Sequence, residues 1–298
     1  MRKILVTGSN GLLGQKLVSK LKVHKEFQLI ATSRGENRIS DTSGYTYVSL
    51  DITNRDEVLT CFEKHQPEIL IHTAAMTNVD ACEDHKEECW QLNVGAVEHL
   101  HEASKKYNCH FIHLSTDFIF DGKAGPYKEE DQPNPISYYG ESKLAAESIL
   151  LKSNPNFAIV RTVLVYGLVE DMSRSNIVLW AKGALEKKQK INIVNDQFRT
   201  PTLVDDLADG CILIAEQSAQ GIYHISGKDF MSIYQLVQRV AKYYQLDASY
   251  INKISSTTLN QRAKRPPKTG FILDKAIQIL GYQPHSFEEG IAIMDKEF

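Results

Sequence analysis

The fold class is decided near the start of the chain by the stretch Ile4-Leu5-Val6-Thr7-Gly8-Ser9-Asn10-Gly11-Leu12-Leu13-Gly14. A short β-branched strand runs into three glycines spaced G-x-x-G-x-x-G, and residues 11–21 follow with helical periodicity. In such a unit the first glycine makes a tight turn, the second lets backbone approach a pyrophosphate, and the third packs helix against strand. Three glycines in a turn without a ligand are the alternative, but the strand-turn-helix order favours a dinucleotide site.

The same alternation continues through the first half of the chain. Further β-branched runs lie at residues 28–32, 47–50, 69–72, 110–114 and 158–161, and helical patterns lie at residues 55–65, 87–107 and 137–151. Strands that are apolar at nearly every position, separated by helices, predict a parallel sheet covered on both faces. We therefore predict an α/β fold with a doubly wound parallel (Rossmann) sheet and a smaller C-terminal substrate-binding lobe.

The predicted domain boundaries follow from where this rhythm becomes irregular. Residues 1–162 form the predicted Rossmann domain, with return segments near residues 188–220. Residues 163–187 and 221–298 form the predicted substrate-binding lobe. The sequence contains no linker, internal repeat or low-complexity tract, so we expect the lobe to pack against the first domain.

Composition excludes several classes of protein. The 298 residues include 34 basic and 37 acidic side chains, a formal net charge of −3, which is not the composition of a nucleic-acid or membrane-surface protein. The five cysteines contain no C-x-x-C pair, which argues against a disulfide framework and a structural zinc site. No apolar run approaches the length of a spanning helix or a signal-peptide core. We expect a soluble cytoplasmic protein with no nucleic-acid or membrane partner.

Residues at the end of the second predicted strand indicate which dinucleotide binds. The strand ends at Thr32-Ser33-Arg34. NAD sites usually place Asp or Glu here to accept from the ribose hydroxyls. A hydroxyl and a guanidinium suit the 2′-phosphate of NADP instead, although an ordinary exposed arginine is the alternative. We predict NADP(H) as the preferred cofactor and keep NAD(H) as the second option.

A tyrosine and a lysine mark a candidate proton-transfer site. Tyr139 and Lys143 are four residues apart in a helical segment, so both lie on one face. A nearby ammonium favours phenolate and lowers a tyrosine pKa, and such a phenol is a suitable general acid for a carbonyl that is being reduced. The pair alone is common by chance. The neighbouring Tyr138 is followed four residues later by Ser142, which cannot replace the ammonium.

The fifth predicted strand ends at Ser115-Thr116-Asp117. A hydroxyl at the carboxyl end of a parallel strand lies at the crevice where such sheets bind ligands, so Thr116 is a candidate donor to a substrate oxygen. A turn or helix-cap role is the alternative for this residue. We expect His110 and His113 on the same strand to be packed or solvent-facing, not catalytic.

Together these motifs resemble the extended short-chain dehydrogenase/reductase family. The glycine turn, Asp51-Ile52, Ala74-Ala75, Asn93, the Ser-Thr-Asp segment and the Tyr–Lys pair occur in the family's order and spacing. Within that family the chain is most similar to the dTDP-4-dehydrorhamnose reductase group. The segments that carry this similarity are residues 73–80, 115–122, 139–143, 195–202 and the Arg-Pro motif at 265–268.

The resemblance implies an NADPH-dependent oxidoreductase that reduces the 4-keto group of a nucleoside-diphosphate 6-deoxy sugar, dTDP-4-dehydro-L-rhamnose, to dTDP-L-rhamnose. It implies Thr116, Tyr139 and Lys143 as catalytic residues and Thr116, Phe118 and Arg199 as substrate contacts, with Asn93 supporting the lysine. The motifs and the resemblance together predict these cofactor contacts: Gly8, Asn10, Gly11, Leu12, Leu13, Gly14, Ser33, Arg34, Asp51, Ile52, Thr73, Ala74, Ala75, Thr77, Asn93, Tyr139, Lys143, Val163 and Leu164.

Two residues depart from the family pattern and two other functions stay open. Phe118 and Leu164 stand where these reductases commonly carry tyrosine and tryptophan, and both positions flank the sugar pocket. One alternative is an NADP-binding regulatory subunit resembling the β subunit of methionine adenosyltransferase. The other is a reductase or epimerase of another nucleotide sugar. A homodimer and a magnesium ion are both compatible with the resemblance, but the sequence supplies no ligand cluster for the metal.

Overall fold

The computed structural model describes residues 1–153, 156–172 and 175–297. The strands within these ranges are β1 (Arg2–Thr7), β2 (Phe27–Ser33), β3 (Thr46–Ser49), β4 (Ile69–His72), β5 (His110–Thr116), β6 (Phe157–Thr162), β7 (Val165–Tyr166), β8 (Ile191–Val194), β9 (Phe198–Arg199), β10 (Thr202–Leu203), β11 (Gly221–His224), β12 (Met231–Ser232) and β13 (Ile251–Ile254).

The α-helices in the same ranges are α1 (Leu12–Leu21), α2 (Arg55–His65), α3 (Val79–Asp84), α4 (Lys86–Trp90), α5 (Ala96–Lys106), α6 (Tyr138–Ser153), α7 (Ile177–Glu186), α8 (Val204–Gln217), α9 (Ile233–Tyr243) and α10 (Phe287–Asp295). Short 3₁₀ turns lie at Asp117–Ile119, Ala248–Tyr250 and Ser256–Thr258, and π-helical turns lie at Gln91–Gly95 and Ala276–Leu280. None of the helices in the described ranges is long and apolar enough to cross a membrane.

Seven strands form one parallel sheet in the order β11-β6-β5-β4-β1-β2-β3, which confirms the predicted doubly wound sheet. The chain begins at the centre in β1, moves outward to β3, and then crosses to β4 on the other side of β1. The strand order therefore reverses between β1 and β4. In open α/β sheets, ligands bind outside the carboxyl ends of the strands at such a reversal.

Two apolar cores cover the two faces of this sheet because side chains alternate along each strand. Ile4 and Val6 face one core, which the helices α1 and α8 complete, for example through Leu17. Leu5 faces the other core, which α2, α5 and α6 complete, for example through Leu100. Helices on both faces explain why the strands read as almost continuous apolar runs.

A third core belongs to the second half of the chain. It gathers apolar side chains from α7, α9, α10 and β8, among them Ala181, Val237, Ile291 and Ile193. Three two-stranded sheets flank it, pairing β7 with β10, β9 with β12, and β8 with β13. This smaller lobe places the loop after β8 and the C-terminal Arg-Pro segment beside the carboxyl ends of the central strands, since both contribute residues to the cavity described below.

Two strands pair differently from the approximate boundaries that the sequence predicts. β11 pairs with β6 at the edge of the central sheet, and α8 packs on α1, so residues 204–224 return to the first sheet. β8, which lies inside the predicted return segment, pairs instead with β13 in the smaller lobe. Tyr223 is buried in the core of the central sheet, and this burial accounts for β11 joining that sheet. The division into a cofactor domain and a substrate-binding lobe stays a prediction.

The predicted single helix over residues 87–107 is divided into α4, a π-helical turn and α5. A π turn widens the helix by one residue and is frequent at functional sites. Here it places the Asn93 side chain against the loop after β4 and against α6.

Candidate active site

A cavity of about 1120 Å³ opens at the carboxyl ends of the central strands. Residues of both the parallel sheet and the smaller lobe line it. The predicted site residues on its wall are Gly8, Asn10, Gly11, Leu12, Leu13, Gly14, Ser33, Arg34, Asp51, Ile52, Thr73, Ala74, Ala75, Thr77, Thr116, Phe118, Tyr139, Lys143, Leu164 and Arg199. Asn93 and Val163 lie outside this wall.

The glycine turn leaves no room for side chains. A Cβ on Gly14 would lie 2.1 Å from the carbonyl oxygen of Gly8. Gly8 itself has a φ of +72°, and a Cβ there would lie 2.8 Å from the backbone nitrogen of Ala74 on the neighbouring loop. The N–H of Gly11 donates to the Gly8 carbonyl oxygen at 2.9 Å, which closes the turn. Glycine is therefore required at Gly8 by the backbone angle and at Gly14 by packing.

The N-terminus of α1 faces the cavity without a competing anion. Gly11 is the N-cap residue and supplies no side-chain cap, and the first turn contains no acidic residue. The N–H groups of a first helical turn and the helix dipole together favour a negatively charged group. This end of the cavity fits a pyrophosphate.

The next part of the cavity carries a positive charge. Arg34 follows β2 on the cavity wall. Hydrogen bonds from Thr53, with a smaller contribution from the Arg34 charge, hold the pKa of Asp51 below its usual range. Asn10 shapes the same region, because its Nδ2 donates to the Glu36 carbonyl oxygen at 2.8 Å and its Oδ1 accepts from the Arg38 N–H at 3.0 Å. An exposed guanidinium beside a nucleotide cleft fits a phosphate on the ribose.

The structure brings Thr116, Tyr139 and Lys143 together at the floor of the cavity. Thr116 ends β5, and the other two lie in the first turns of α6. The hydroxyl of Thr116 accepts from the Phe118 N–H at 3.2 Å and donates to Asp117 Oδ1 at 3.3 Å, and it is near enough to the Tyr139 hydroxyl to lower the pKa of that group. Thr116 therefore caps the short 3₁₀ turn, and its contact with a substrate oxygen stays a prediction.

Burial dominates the ionisation of Tyr139. Desolvation raises its pKa, the nearby Thr116 hydroxyl opposes this change, and the Asp117 carboxylate adds to the increase. This differs from the predicted lowering by Lys143, because burial penalises the charged phenolate form. The side chain is consequently a neutral O–H donor at physiological pH.

Lys143 hydrogen-bonds two groups of strand β5. Its Nζ donates to the carbonyl oxygen of Leu114 at 2.6 Å and lies 3.3 Å from Nε2 of His113. Burial lowers the pKa of Lys143 to about 8, although Glu147 and Cys89 oppose this change. The ammonium is therefore the main form at neutral pH and is lost in mildly alkaline solution.

Asn93 contacts the loop after β4 instead of the lysine. Its Oδ1 accepts from the Met76 N–H at 2.8 Å, and its Nδ2 donates to the Met76 carbonyl oxygen at 3.1 Å and to Ser142 Oγ at 3.0 Å. The amide thus joins the loop to α6 one residue before Lys143, and the support of the lysine by Asn93 stays a prediction. Val163 is fully buried and lies outside the cavity wall, and its contact with the cofactor also stays a prediction.

Arg199 is buried and its guanidinium is occupied by the protein. Nε lies 3.4 Å from Asp117 Oδ2, Nη1 donates to the Phe198 carbonyl oxygen at 2.7 Å, and Nη2 donates to the Pro266 carbonyl oxygen at 2.8 Å. These contacts give Arg199 a structural role that joins the smaller lobe to the segment after β5. The residue also lines the cavity, and its contact with substrate stays a prediction.

Two polar residues on the cavity wall were not predicted as site residues. Arg265 lines the cavity and pairs with Asp80, its Nη2 lying 2.6 Å from Oδ2. The Arg-Pro motif signals this residue in the sequence. Ser115 also lines the cavity, and its buried hydroxyl has no hydrogen-bond partner within the described ranges. In the same ranges, no group of three His, Cys, Asp or Glu side chains is arranged to hold a metal ion.

Comparison with known proteins agrees with this geometry. The chain is 31% identical to dTDP-4-dehydrorhamnose reductase of Aggregatibacter actinomycetemcomitans, over 98% of this chain and 97% of the relative. It is also 31% identical to methionine adenosyltransferase 2 subunit beta of Danio rerio, over 99% of this chain and 90% of the relative. The crystal structure of Bacillus anthracis dTDP-4-dehydrorhamnose reductase in complex with NADP superposes with a TM-score of 0.86 at 26% identity, covering 100% of both chains.

A family model for the RmlD substrate binding domain matches residues 1–298. The match covers the glycine turn, the Tyr–Lys pair and the smaller lobe in one alignment. The chain belongs to the RmlD substrate-binding domain family of the extended short-chain dehydrogenase/reductases.

Proposed function

We propose that this protein is an NADPH-dependent reductase of the 4-keto group of a nucleoside-diphosphate 6-deoxy sugar, and that it converts dTDP-4-dehydro-L-rhamnose into dTDP-L-rhamnose. The observation that carries the proposal is that Thr116, Tyr139 and Lys143 lie on the wall of the same cavity as the glycine cradle. A proton donor and a dinucleotide site in one cavity are the two requirements for carbonyl reduction by a nicotinamide.

The cofactor end of the cavity fits NADP. The N–H groups at the start of α1 would hold the pyrophosphate, and Ser33 and Arg34 would hold the 2′-phosphate. When NADPH is bound, it supplies a hydride for the carbonyl carbon. Lys143 has used two N–H groups on Leu114 and His113, so one remains for the nicotinamide ribose.

Tyr139 would deliver the proton to the carbonyl oxygen. Its raised pKa keeps the hydroxyl protonated in the resting site, and Thr116 would hydrogen-bond the same oxygen as negative charge develops. The Lys143 ammonium favours the phenolate that remains after proton transfer. Positioned acid catalysis of this kind contributes about 10²- to 10⁴-fold.

The cavity wall also carries apolar side chains. Phe118, Val169, Met172 and Ile177 contribute to it, and such side chains would suit the methyl group of a 6-deoxy sugar better than a hydroxymethyl group. Leu164 lies on the same wall with a φ of +41°, a left-handed conformation that costs a leucine free energy and is typical of functional sites.

A second function is favoured by one specific observation. The 31% identity to a methionine adenosyltransferase β subunit over 99% of this chain matches the identity to the reductase, so a regulatory NADP-binding subunit is the second candidate. The homodimer and the cytoplasmic location stay predictions from the sequence.

The test is NADPH oxidation by the purified protein with freshly generated dTDP-4-keto-6-deoxy-L-mannose. Turnover supports the reductase. Tight NADPH binding without turnover on this or any other nucleotide-linked 4-keto sugar contradicts it and supports the regulatory subunit.

A further inference from the structure

Two buried histidines lie directly beneath Lys143. His72 on β4 and His113 on β5 are partners in the parallel register, and their rings stack with centroids 5.5 Å apart. Both side chains are buried from solvent. His72 Nδ1 lies 2.7 Å from Thr7 Oγ1, and His113 Nε2 lies 3.3 Å from Lys143 Nζ, so only the second histidine touches the lysine.

Lys143 keeps its charge without a carboxylate partner in the described part of the chain. The charged group on its own helix is Glu147, and both oxygens of that carboxylate are bound to Arg161, at 3.1 and 2.7 Å. From the other elements the lysine is faced by His113 and His72 on the sheet and by Cys89 on α4. Its direct acceptors are therefore two neutral groups, the Leu114 carbonyl oxygen and the His113 ring.

The contact with the Lys143 ammonium determines which ring nitrogen of His113 carries the proton. An ammonium has only donors, so Nε2 of the ring must accept and the ring proton must be on Nδ1. Burial, followed by the charge of Lys143, lowers the pKa of His113 well below its ordinary value, so the ring stays neutral. Nδ1 is buried and has no hydrogen-bond partner within the described residues, and an unpartnered buried N–H destabilises the fold.

We propose that His113 is a positioning residue for Lys143, whose neutral imidazole accepts a hydrogen bond from the ammonium and, with the Leu114 carbonyl, directs the remaining N–H into the cavity beside Tyr139. The imidazole also stabilises the charged form of the lysine, which has no carboxylate as a direct hydrogen-bond partner in the described part of the chain. This role accounts for a buried histidine that an apolar side chain could replace at lower free-energy cost.

The kinetic test of this proposal rests on the reductase function. His113→Leu removes the acceptor, whereas His113→Gln places an amide oxygen near the position of Nε2. We expect His113→Leu to shift the alkaline limb of the pH profile of kcat/KM to lower pH by about one unit, because the lost hydrogen bond stabilised the charged lysine. His113→Gln should restore most of this shift. His110→Leu exchanges a buried histidine on the same strand away from the lysine and should leave the limb unchanged.

An alkaline limb that does not move in His113→Leu, or that moves equally in His110→Leu, would overturn the proposal. A second readout needs no turnover and no variant. Long-range ¹H–¹⁵N spectra of the wild-type protein report the protonation of each histidine ring nitrogen. We expect His113 to show a protonated Nδ1 and an unprotonated Nε2 at neutral pH. A protonated Nε2 contradicts the proposal, whether or not the protein reduces a sugar.

Discussion

Nε of Arg199 lies 3.4 Å from Oδ2 of Asp117, and both side chains are buried. Asp117 follows Thr116 directly, and Arg199 also holds the carbonyl oxygens of Phe198 and Pro266. The ion pair thus connects the smaller lobe to the segment that carries Thr116. The two halves of the cavity are held in one arrangement by a charge pair that solvent does not screen.

Replacement of Arg199 should therefore destabilise the fold. Arg199→Ala leaves the Asp117 carboxylate buried without its cation, and loss of one partner of a buried pair costs about 3–5 kcal/mol of unfolding free energy. Urea unfolding of the two proteins measures this difference. An unchanged unfolding midpoint with only a raised KM for the sugar nucleotide would contradict the structural role and return Arg199 to substrate binding.

The glycine cradle predicts a sharp contrast between two glycine-to-alanine variants. Gly14→Ala places a Cβ 2.1 Å from the Gly8 carbonyl oxygen, so the turn must open and NADPH binding should weaken by more than about 10-fold. Gly183→Ala in α7 meets no atom within 4 Å and should leave the cofactor Kd unchanged while raising stability slightly. Fluorescence titration with NADPH measures both. Equal Kd values for the two variants would be inconsistent with the cradle.

Cofactor selectivity is predicted to depend on Arg34. Arg34→Ala removes a guanidinium from the cavity wall after β2 and should weaken NADPH by about 10- to 100-fold, the usual effect of losing a charge-assisted phosphate contact. NADH lacks the 2′-phosphate and serves as the internal control, with a change of a few-fold at most. Equal losses for both cofactors would refute the 2′-phosphate assignment.

Stability should fall in mildly acidic solution because of buried histidines. Burial lowers the pKa of His72 to about 3 and of His110 to about 4, and the pKa of His113 and His224 also lies well below the ordinary value. In the unfolded chain these groups take up protons below about pH 6.5, whereas the folded protein does not. The unfolded state therefore gains protons, and stability is lost, as the pH falls from about 6.5 towards about 4.

Urea unfolding at about pH 7.5 and about pH 5.5 measures this effect, with an expected loss on the order of 1.4 kcal/mol for each such histidine. Asp117 and Asp206 act in the opposite sense, because burial raises their pKa in the folded protein. His110→Leu should reduce the pH-dependent loss of unfolding free energy by the contribution of one histidine. Equal stability of the wild-type protein at the two pH values would contradict the burial of neutral histidines.

The sequence predicted the central sheet well because its signals are local. Most of its strands are largely apolar runs, and the bounds of β4 and α2 agree with the prediction residue for residue. The short strands β7, β9 and β12 were not predicted. Each of these strands is only two residues long, which is too short to show an alternating pattern. Their pairing depends on loops that tertiary contacts bring together.

The residues of the candidate site could be predicted in outline, but their protein contacts could not. Gly8, Tyr139 and Lys143 follow from spacing, and the structure places them on one cavity wall. The partners of Asn93 and Arg199 could not be predicted. The π turn that reorients Asn93 has no local signature, and the Pro266 carbonyl oxygen that accepts from Arg199 lies 67 positions further along the chain.

The central claim is that the Tyr139 hydroxyl protonates a sugar carbonyl while NADPH is oxidised. The most direct measurement is NADPH oxidation with dTDP-4-keto-6-deoxy-L-mannose by the wild-type protein and by Tyr139→Phe, with Tyr138→Phe as the matched control on the adjacent residue. The account predicts that Tyr139→Phe lowers kcat by about 10²-fold or more, keeps the NADPH Kd within a few-fold, and differs clearly from Tyr138→Phe, which keeps its turnover. Undiminished turnover in Tyr139→Phe would contradict the account.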